Sequence, residues 1–481
     1  MRSRKNRNAA RKKRPLLSSD DSLSRGNWRR RALFATAVAC LLVAGVFLGR
    51  GLWVSQKKAK SREAPRVPAW SDPPPNAQPQ EAAQHYKAEG LAVAKQLMSD
   101  FPGKADPILL MGQVHYGHGN TEEAISYWEK GLKLDPKRAD AYDGMGWIAL
   151  RKGDFATAVS HWQKALELDP RMPGAHSSLA RSLMGLGKVE EAVEAARKDL
   201  EVSPQSVMSH FLLGEAYFQL EKYGRAKEAY ENAIALDPAC TNAYYNLARS
   251  LMRLNESSRA KEYTKKFQEL KAEDMKVLKD RNTAFDDMVA VRGLLAKTHA
   301  DAGQIYRNYG KLRVAEAHWK RAAALEPRSI SPREHLASLY QSTGNLDDAI
   351  RMHEELADLD PQNAMRHLVL ASSYSRVNRY SEAEAALGRA MELDPQRSWA
   401  YRDLAQLCLR MKKDFPRAKL LAEKAVELEP SALNYNILGW ALFANGETEA
   451  SLAATRRAVE LDPQNPEYQR RYRYLQSQQT R

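Results

Sequence analysis

A chain of 481 residues, 43% of them hydrophobic, is long enough to bury a sizeable core, and its formal charge of +15 would suit a polyanion if it were spread over the body. It is not spread: residues 1–66 hold 18 Lys+Arg against Asp20, Asp21 and Glu63, which leaves 56 charges of each sign in the remainder. This removes the electrostatic case for phosphate binding by the body, and three cysteines (Cys40, Cys240, Cys408) without a CxxC pair exclude a disulfide scaffold or zinc ribbon.

The first 31 residues are a basic arm with 12 Lys/Arg. Residues 32–54 follow as an apolar run, uncharged from Ala32 to Gly49. At about 1.5 Å per residue it is long enough to cross a hydrocarbon core. Trp28 and Trp53 flank it at the level where indoles favour the membrane interface. The long arm, the length of the run and the lack of an Ala-x-Ala site after it fit a signal-anchor better than a cleaved leader. Twelve basic residues before the span against six just after it put the N-terminus in the cytoplasm and the body outside, in the periplasm of a bacterium. Gly45 and Gly49 form a GxxxG spacing through which two such helices would meet as a homodimer. Residues 55–79, with six prolines from Pro65 to Pro79, read as an extended spacer.

The body is periodic. Pro102, Pro136, Pro170, Pro204 and Pro238 stand 34 residues apart, and the beat resumes at Pro327, Pro361, Pro395, Pro430 and Pro463. Within the unit starting at Ala105, Gly112, Gly119, Ala124, Trp128 and Gly131 fall at positions 8, 15, 20, 24 and 27; the unit from Ala139 repeats the set as Gly146, Gly153, Ala158, Trp162 and Ala165. Small residues at 8 and 20 let two helices cross closely, a large ring at 24 fills the seam, the residue at 15 turns the chain, and proline stops the second helix. Such units cannot bury their apolar faces alone and must stack.

This pattern resembles the tetratricopeptide repeat (TPR) family. The fold class implied is all-α: a TPR-type solenoid of about nine helix-turn-helix repeats, with a leading helix near 80–99 and a capping helix near 468–476. The expected organisation is a first sub-array at 80–272, an insertion or hinge at 273–295, a second sub-array at 296–463, and a cap and tail at 464–481. The interruption is visible in the sequence. The unit from Thr241 carries Ala272 where proline is expected, and Asn255 to Arg292 contains neither glycine nor proline to stop a helix.

No catalytic constellation survives inspection: there is no P-loop, nucleophile elbow or HExxH, and no cofactor is expected. His115 and His118 stand three apart with no third ligand, so no metal is expected either. The resemblance implies instead a concave groove lined by positions 2, 5, 9, 12 and 13 of each unit, taking a protein or peptide. Carried onto this chain, those positions include Met208, Phe211, Glu215, Phe218, Tyr245, Arg249, Met252 and Arg253. Aromatics beside arginines suit an extended segment with apolar and acidic side chains. The lysine/asparagine clamp of members that bind chaperone tails is absent. A competing use, binding of anionic lipid or nucleic acid by the arm at 2–31, is weakened because the positive-inside bias already accounts for those charges.

Overall fold

The computed structural model describes residues 70–280 and 283–479. The basic arm, the apolar run at 32–54, Gly45 and Gly49 all lie outside the described residues. Among those described every regular element is a helix, and no helix is long and apolar enough to cross a membrane.

A leading helix α1, Pro79–Asp100, is followed by five helix pairs: α2 Ala105–Gly117 and α3 Thr121–Leu134, α4 Ala139–Arg151 and α5 Phe155–Leu168, α6 Ala175–Gly185 and α7 Val189–Val202, α8 Val207–Gln219 and α9 Tyr223–Leu236, α10 Thr241–Arg253 and α11 Ser257–Asp280. Five more follow: α12 Thr283–Asn308 and α13 Leu312–Leu325, α14 Ser331–Thr343 and α15 Leu346–Leu359, α16 Ala364–Arg376 and α17 Tyr380–Leu393, α18 Ser398–Met411 and α19 Phe415–Leu428, α20 Ala432–Ala444 and α21 Thr448–Leu461. A final helix α22, Pro466–Gln479, covers the end. Ten pairs stand among the described residues where about nine were expected, and the Thr241 unit is a full pair even without its terminating proline.

The register explains each boundary. Helices α3, α5, α7 and α9 end two residues before Pro136, Pro170, Pro204 and Pro238, where proline bars continuation. Position 15 adopts left-handed backbone throughout: it is Gly119 or Gly153 in early units, but Glu221 at φ 56° and Asn255 at φ 64° hold the same turn. Asn255 and Gly310 are 55 residues apart rather than 34, so the interruption adds 21 residues. They appear as helix. Helix α11 runs on to Asp280 and α12 begins at Thr283, well ahead of its register start at Ala296.

In four of the pairs an aromatic ring at position 24 lies under a glycine at position 8: Trp128 under Gly112, Trp162 under Gly146, Tyr230 under Gly214 and Trp319 under Gly303. Trp162 and Trp319 are fully buried, and Trp319 Nε1 donates to the Ala300 carbonyl at 3.1 Å. A Cβ on Gly303 would sit 2.5 Å from Trp319 Nε1, closer than van der Waals contact allows. Gly303→Ala is therefore expected to destabilise the second array by about 1–3 kcal/mol through overpacking, read as a lowered denaturant midpoint. The same exchange at Gly224, which has open space around it, should be nearly silent.

Helix α1 departs from simple stacking. It precedes α2 as the second helix of a missing unit would, yet it packs against α12 as extensively as paired helices of one repeat pack together. Val93, Leu97 and Phe101 enter one apolar cluster with Leu110, Ile305, Tyr306, Val314 and Trp319. Both arrays therefore start on the same helix. At the other end, Tyr468 and Leu475 of α22 are buried as a cap requires, while Tyr472 is only half-buried.

Candidate functional site

The first helices of successive pairs, α2, α4, α6, α8 and α10, present positions 2, 5, 9, 12 and 13 along one row. On α8, Phe211 and Phe218 are half-buried and pack against the core of the first array; Phe211 lies 5.8 Å from the Tyr230 ring. On α10, Tyr245 and Met252 are 47% and 56% exposed, more than core packing would leave. Arg249 joins the two helices, with its guanidinium 4.5 Å from the centre of Phe218 and 5.6 Å from that of Tyr245. Arg253 reaches over Tyr223, 5.9 Å from its centre. Burial pushes the Glu215 carboxyl above its ordinary pKa, while Arg181 and Arg249 pull it back.

The seven residues that the sequence pattern singled out, Phe211, Glu215, Phe218, Tyr245, Arg249, Met252 and Arg253, thus lie on the neighbouring helices α8 and α10, with Arg249 bridging the two. Of these, Phe211 and Phe218 are also structural, whereas Tyr245, Arg249, Met252 and Arg253 are open to solvent. Arg181, at position 9 of the α6 unit, belongs with them: its guanidinium touches the Met208 sulfur at 2.9 Å. The register could have supplied it, since it occupies the same position as Glu215 and Arg249.

At its α2 end the row is roofed by α12. Leu294 sits against Gly117 (position 13 of its unit), and the Tyr309 hydroxyl, just past α12, donates to Asp106 at 3.3 Å. Between them lies a cavity of about 760 Å³, lined by Gln113, Tyr116, Asp143, Trp147, Asp301 and Gln304 among others. No spacing rule announced it, because its walls are nearly 200 residues apart in the chain.

On the far side of α12 a polar junction ties α1 to the second array. Arg321 bonds both carboxylate oxygens of Glu89, at 3.0 and 2.9 Å, and Asp72 at 2.7 Å. Glu89 also pairs with His299 Nε2 at 3.0 Å, and His299 Nδ1 with His318 Nδ1 at 2.9 Å. Trp70 covers both imidazoles, with ring centres 4.7 Å away. Residues 70–72, within the Pro-rich spacer of the sequence reading, are thus docked on the repeats. Burial would raise the pKa of Glu89, but hydrogen bonds from His299 and Arg321 hold it below the ordinary value. Burial lowers His299 against the opposing pull of Glu89, and lowers His318 to about 2.

Models of the tetratricopeptide repeat match residues 109–173, 144–206 and 412–466, 207–240, 334–365, and 241–274 and 367–397, together more than half of the chain. The chain belongs to the tetratricopeptide repeat family. Among curated proteins nothing matches it. Solved TPR structures similar to it include MamA from Desulfovibrio magneticus RS-1, 24% identical over 35% of this chain and 96% of that one, with a TM-score of 0.34. YrrB, described as a TPR protein with an unusual peptide-binding site, is 19% identical over 38% of this chain and 95% of its own, with a TM-score of 0.35. Yeast Tom70 is 17% identical over 78% and 96%, with a TM-score of 0.31. At these TM-scores none of them bears on what this TPR protein binds. Its two described cysteines, Cys240 and Cys408, are free.

Proposed function

We propose that this TPR protein is a membrane-anchored scaffold that holds a protein or peptide partner in the groove of its first array and performs no catalysis itself. The observation that carries the reading is the strip on α8 and α10, where solvent-exposed Tyr245 and Met252 flank Arg249. Exposed aromatic and arginine side chains grouped in a concavity are what binding hot spots are made of. Arginine there favours carboxylates, so the segment bound carries acidic and apolar side chains.

The anchor at 32–54 and the placing of the repeats outside the cytoplasm rest on the sequence, and protease protection of the repeats in sealed vesicles tests them. For the groove, Arg249→Ala combined with Arg253→Ala in the full chain is expected to weaken an acidic, phenylalanine-containing peptide about tenfold or more. Fluorescence anisotropy with that peptide and a charge-neutral counterpart reads the effect. Equal binding of both peptides by wild type and variant sinks the groove reading. If an arm variant with residues 2–31 neutralised instead loses the protein's only ligand, an anionic lipid or RNA, the arm is the functional site.

A further inference from the structure

The roofed end of the groove has the opposite character to its open end. At the open end the exposed charges are Arg249 and Arg253, with half-buried Arg181 on the neighbouring helix α6. Around the cavity between α2, α4 and α12 stand four carboxylates (Asp106, Asp140, Asp143 and Asp301) and two cations, Arg138 and Lys297. Three of the carboxylates are engaged. Arg138 holds Asp106 at 2.5 Å and Asp140 at 2.8 Å, and Asp143 accepts from Trp162 Nε1 at 2.9 Å.

Asp301 is different. Half-buried on α12, it has no hydrogen bond or ion pair among the described residues, and Lys297, one turn earlier, is exposed to solvent. The half-buried rings of Trp147 and Tyr116 line the same cavity. A cavity with surplus carboxylate and aromatic faces complements a cation on a long apolar stem.

We propose that this cavity receives a lysine or arginine side chain of the partner segment bound in the groove. The inference rests on the groove reading and adds a direction to it. The partner lies with its basic residue under α12 and its acidic and aromatic residues over α8 and α10. A segment bound backwards would set its cation against Arg249 and its carboxylates against Asp301, which repel it. Helix α12 is thus a wall of the binding site as well as the start of the second array.

Titration supports the geometry. Burial, and secondarily Asp140, raise the Asp301 carboxyl to about 6 against the pull of Lys297. Asp143 is raised too, by burial and Asp140 against the Trp162 indole. The groups facing Asp301 are therefore Lys297 on its own helix, Asp140 and Asp143 on α4, Asp106 on α2 and Arg138 before α4. A bound guanidinium favours the ionised carboxyl, so binding releases protons and tightens as pH rises from 5 to 7.5.

The test uses the full chain in detergent and two fluorescent decapeptides, each with Phe, Leu, Asp and Glu in one half and either arginine or its neutral isostere citrulline in the other. The arginine peptide is expected to bind about tenfold tighter at pH 7.5, an advantage that shrinks at pH 5. Asp301→Asn should cut the advantage to about twofold or less while leaving the citrulline peptide unaffected; Arg249→Ala should weaken both peptides alike. Asp301→Glu, which keeps the charge, should retain most of the preference. Equal affinity for the two peptides, with Arg249→Ala still weakening both, overturns the pocket and leaves the groove standing. If neither peptide binds, the groove and the pocket fall together.

Discussion

Arg321→Met is expected to cost about 3–5 kcal/mol and to release α1 from the second array, because it strands a buried carboxylate. Glu89 and Arg321 have side chains only 9% and 10% exposed, so solvent cannot take over when one partner leaves. The lost contacts are two bonds to Glu89 and one each to Asp72 and the Ser71 carbonyl. His299 alone would then face the Glu89 charge. Hydrogen exchange should report the loss locally, as deprotection of residues 79–100 and 283–308 while α4 to α9 stay protected, since repeats couple mainly to their neighbours. Adding Glu89→Gln to Arg321→Met should restore more than half of the stability, because the penalty comes from the unpaired charge rather than the missing contact. Uniform deprotection of the whole chain, or no rescue by the second change, would falsify this account.

The junction also shows where sequence reasoning stops. Helices, turns and seams were legible because each is fixed by residues within one 34-residue unit. Pro136 ends α3, Gly119 turns α2 into α3, and Trp128 fills the space beside Gly112. The glycine- and proline-free stretch from Asn255 to Arg292 suggested that the second helix of the Thr241 unit runs on, and α11 extends to Asp280; that the remaining residues would lengthen the front of α12 was not legible. That α12 would turn back onto α1 and α2 left no such trace. Tyr306 donates to Asp100 across 206 residues and Arg321 to Glu89 across 232, and no period or spacing rule connects positions that far apart. The general rule that each unit of a solenoid touches only its neighbours does not hold at this junction. One consequence is that α1, a leading half-unit in sequence, is shared by both arrays.

The candidate site divides along the same line. Arg249 and Arg253 could be named by carrying the groove positions of the resembled family onto the register, because position within a unit decides which face of a first helix a residue occupies. Register could not say that Phe218 would spend one face on the core and the other on Arg249, nor that Met252 would remain open. Asp301 was invisible as a site residue. It stands at position 6 of its unit, and its significance comes only from the helix that faces it.

Acid should loosen the same junction that Arg321→Met breaks. His318 and His299 are buried and neutral, with pKa values held below the ordinary 6.5, so the unfolded chain binds protons that the fold refuses. Their contribution is fully present above about pH 6.5 and is lost as pH falls below it, at about 1.4 kcal/mol per pH unit for each histidine that stays neutral. At pH 5 the pair should remove on the order of 2–4 kcal/mol. Glu89, whose pKa is lowered, stays ionised through this window and adds its own loss only under more acid conditions. Asp301 acts in the opposite sense, because its raised pKa makes protonation favour the fold as pH drops from about 6. The histidine contribution is therefore isolated by difference. His318→Phe keeps a ring against Tyr306 and Trp70 but removes one titrating group. Chemical denaturation followed from pH 7.5 to 5 should show a slope of stability against pH shallower by about one proton in the variant, whatever its absolute stability. Identical slopes would mean that the imidazoles already accept protons in the fold, and that the Glu89–His299–His318 chain is not closed to water.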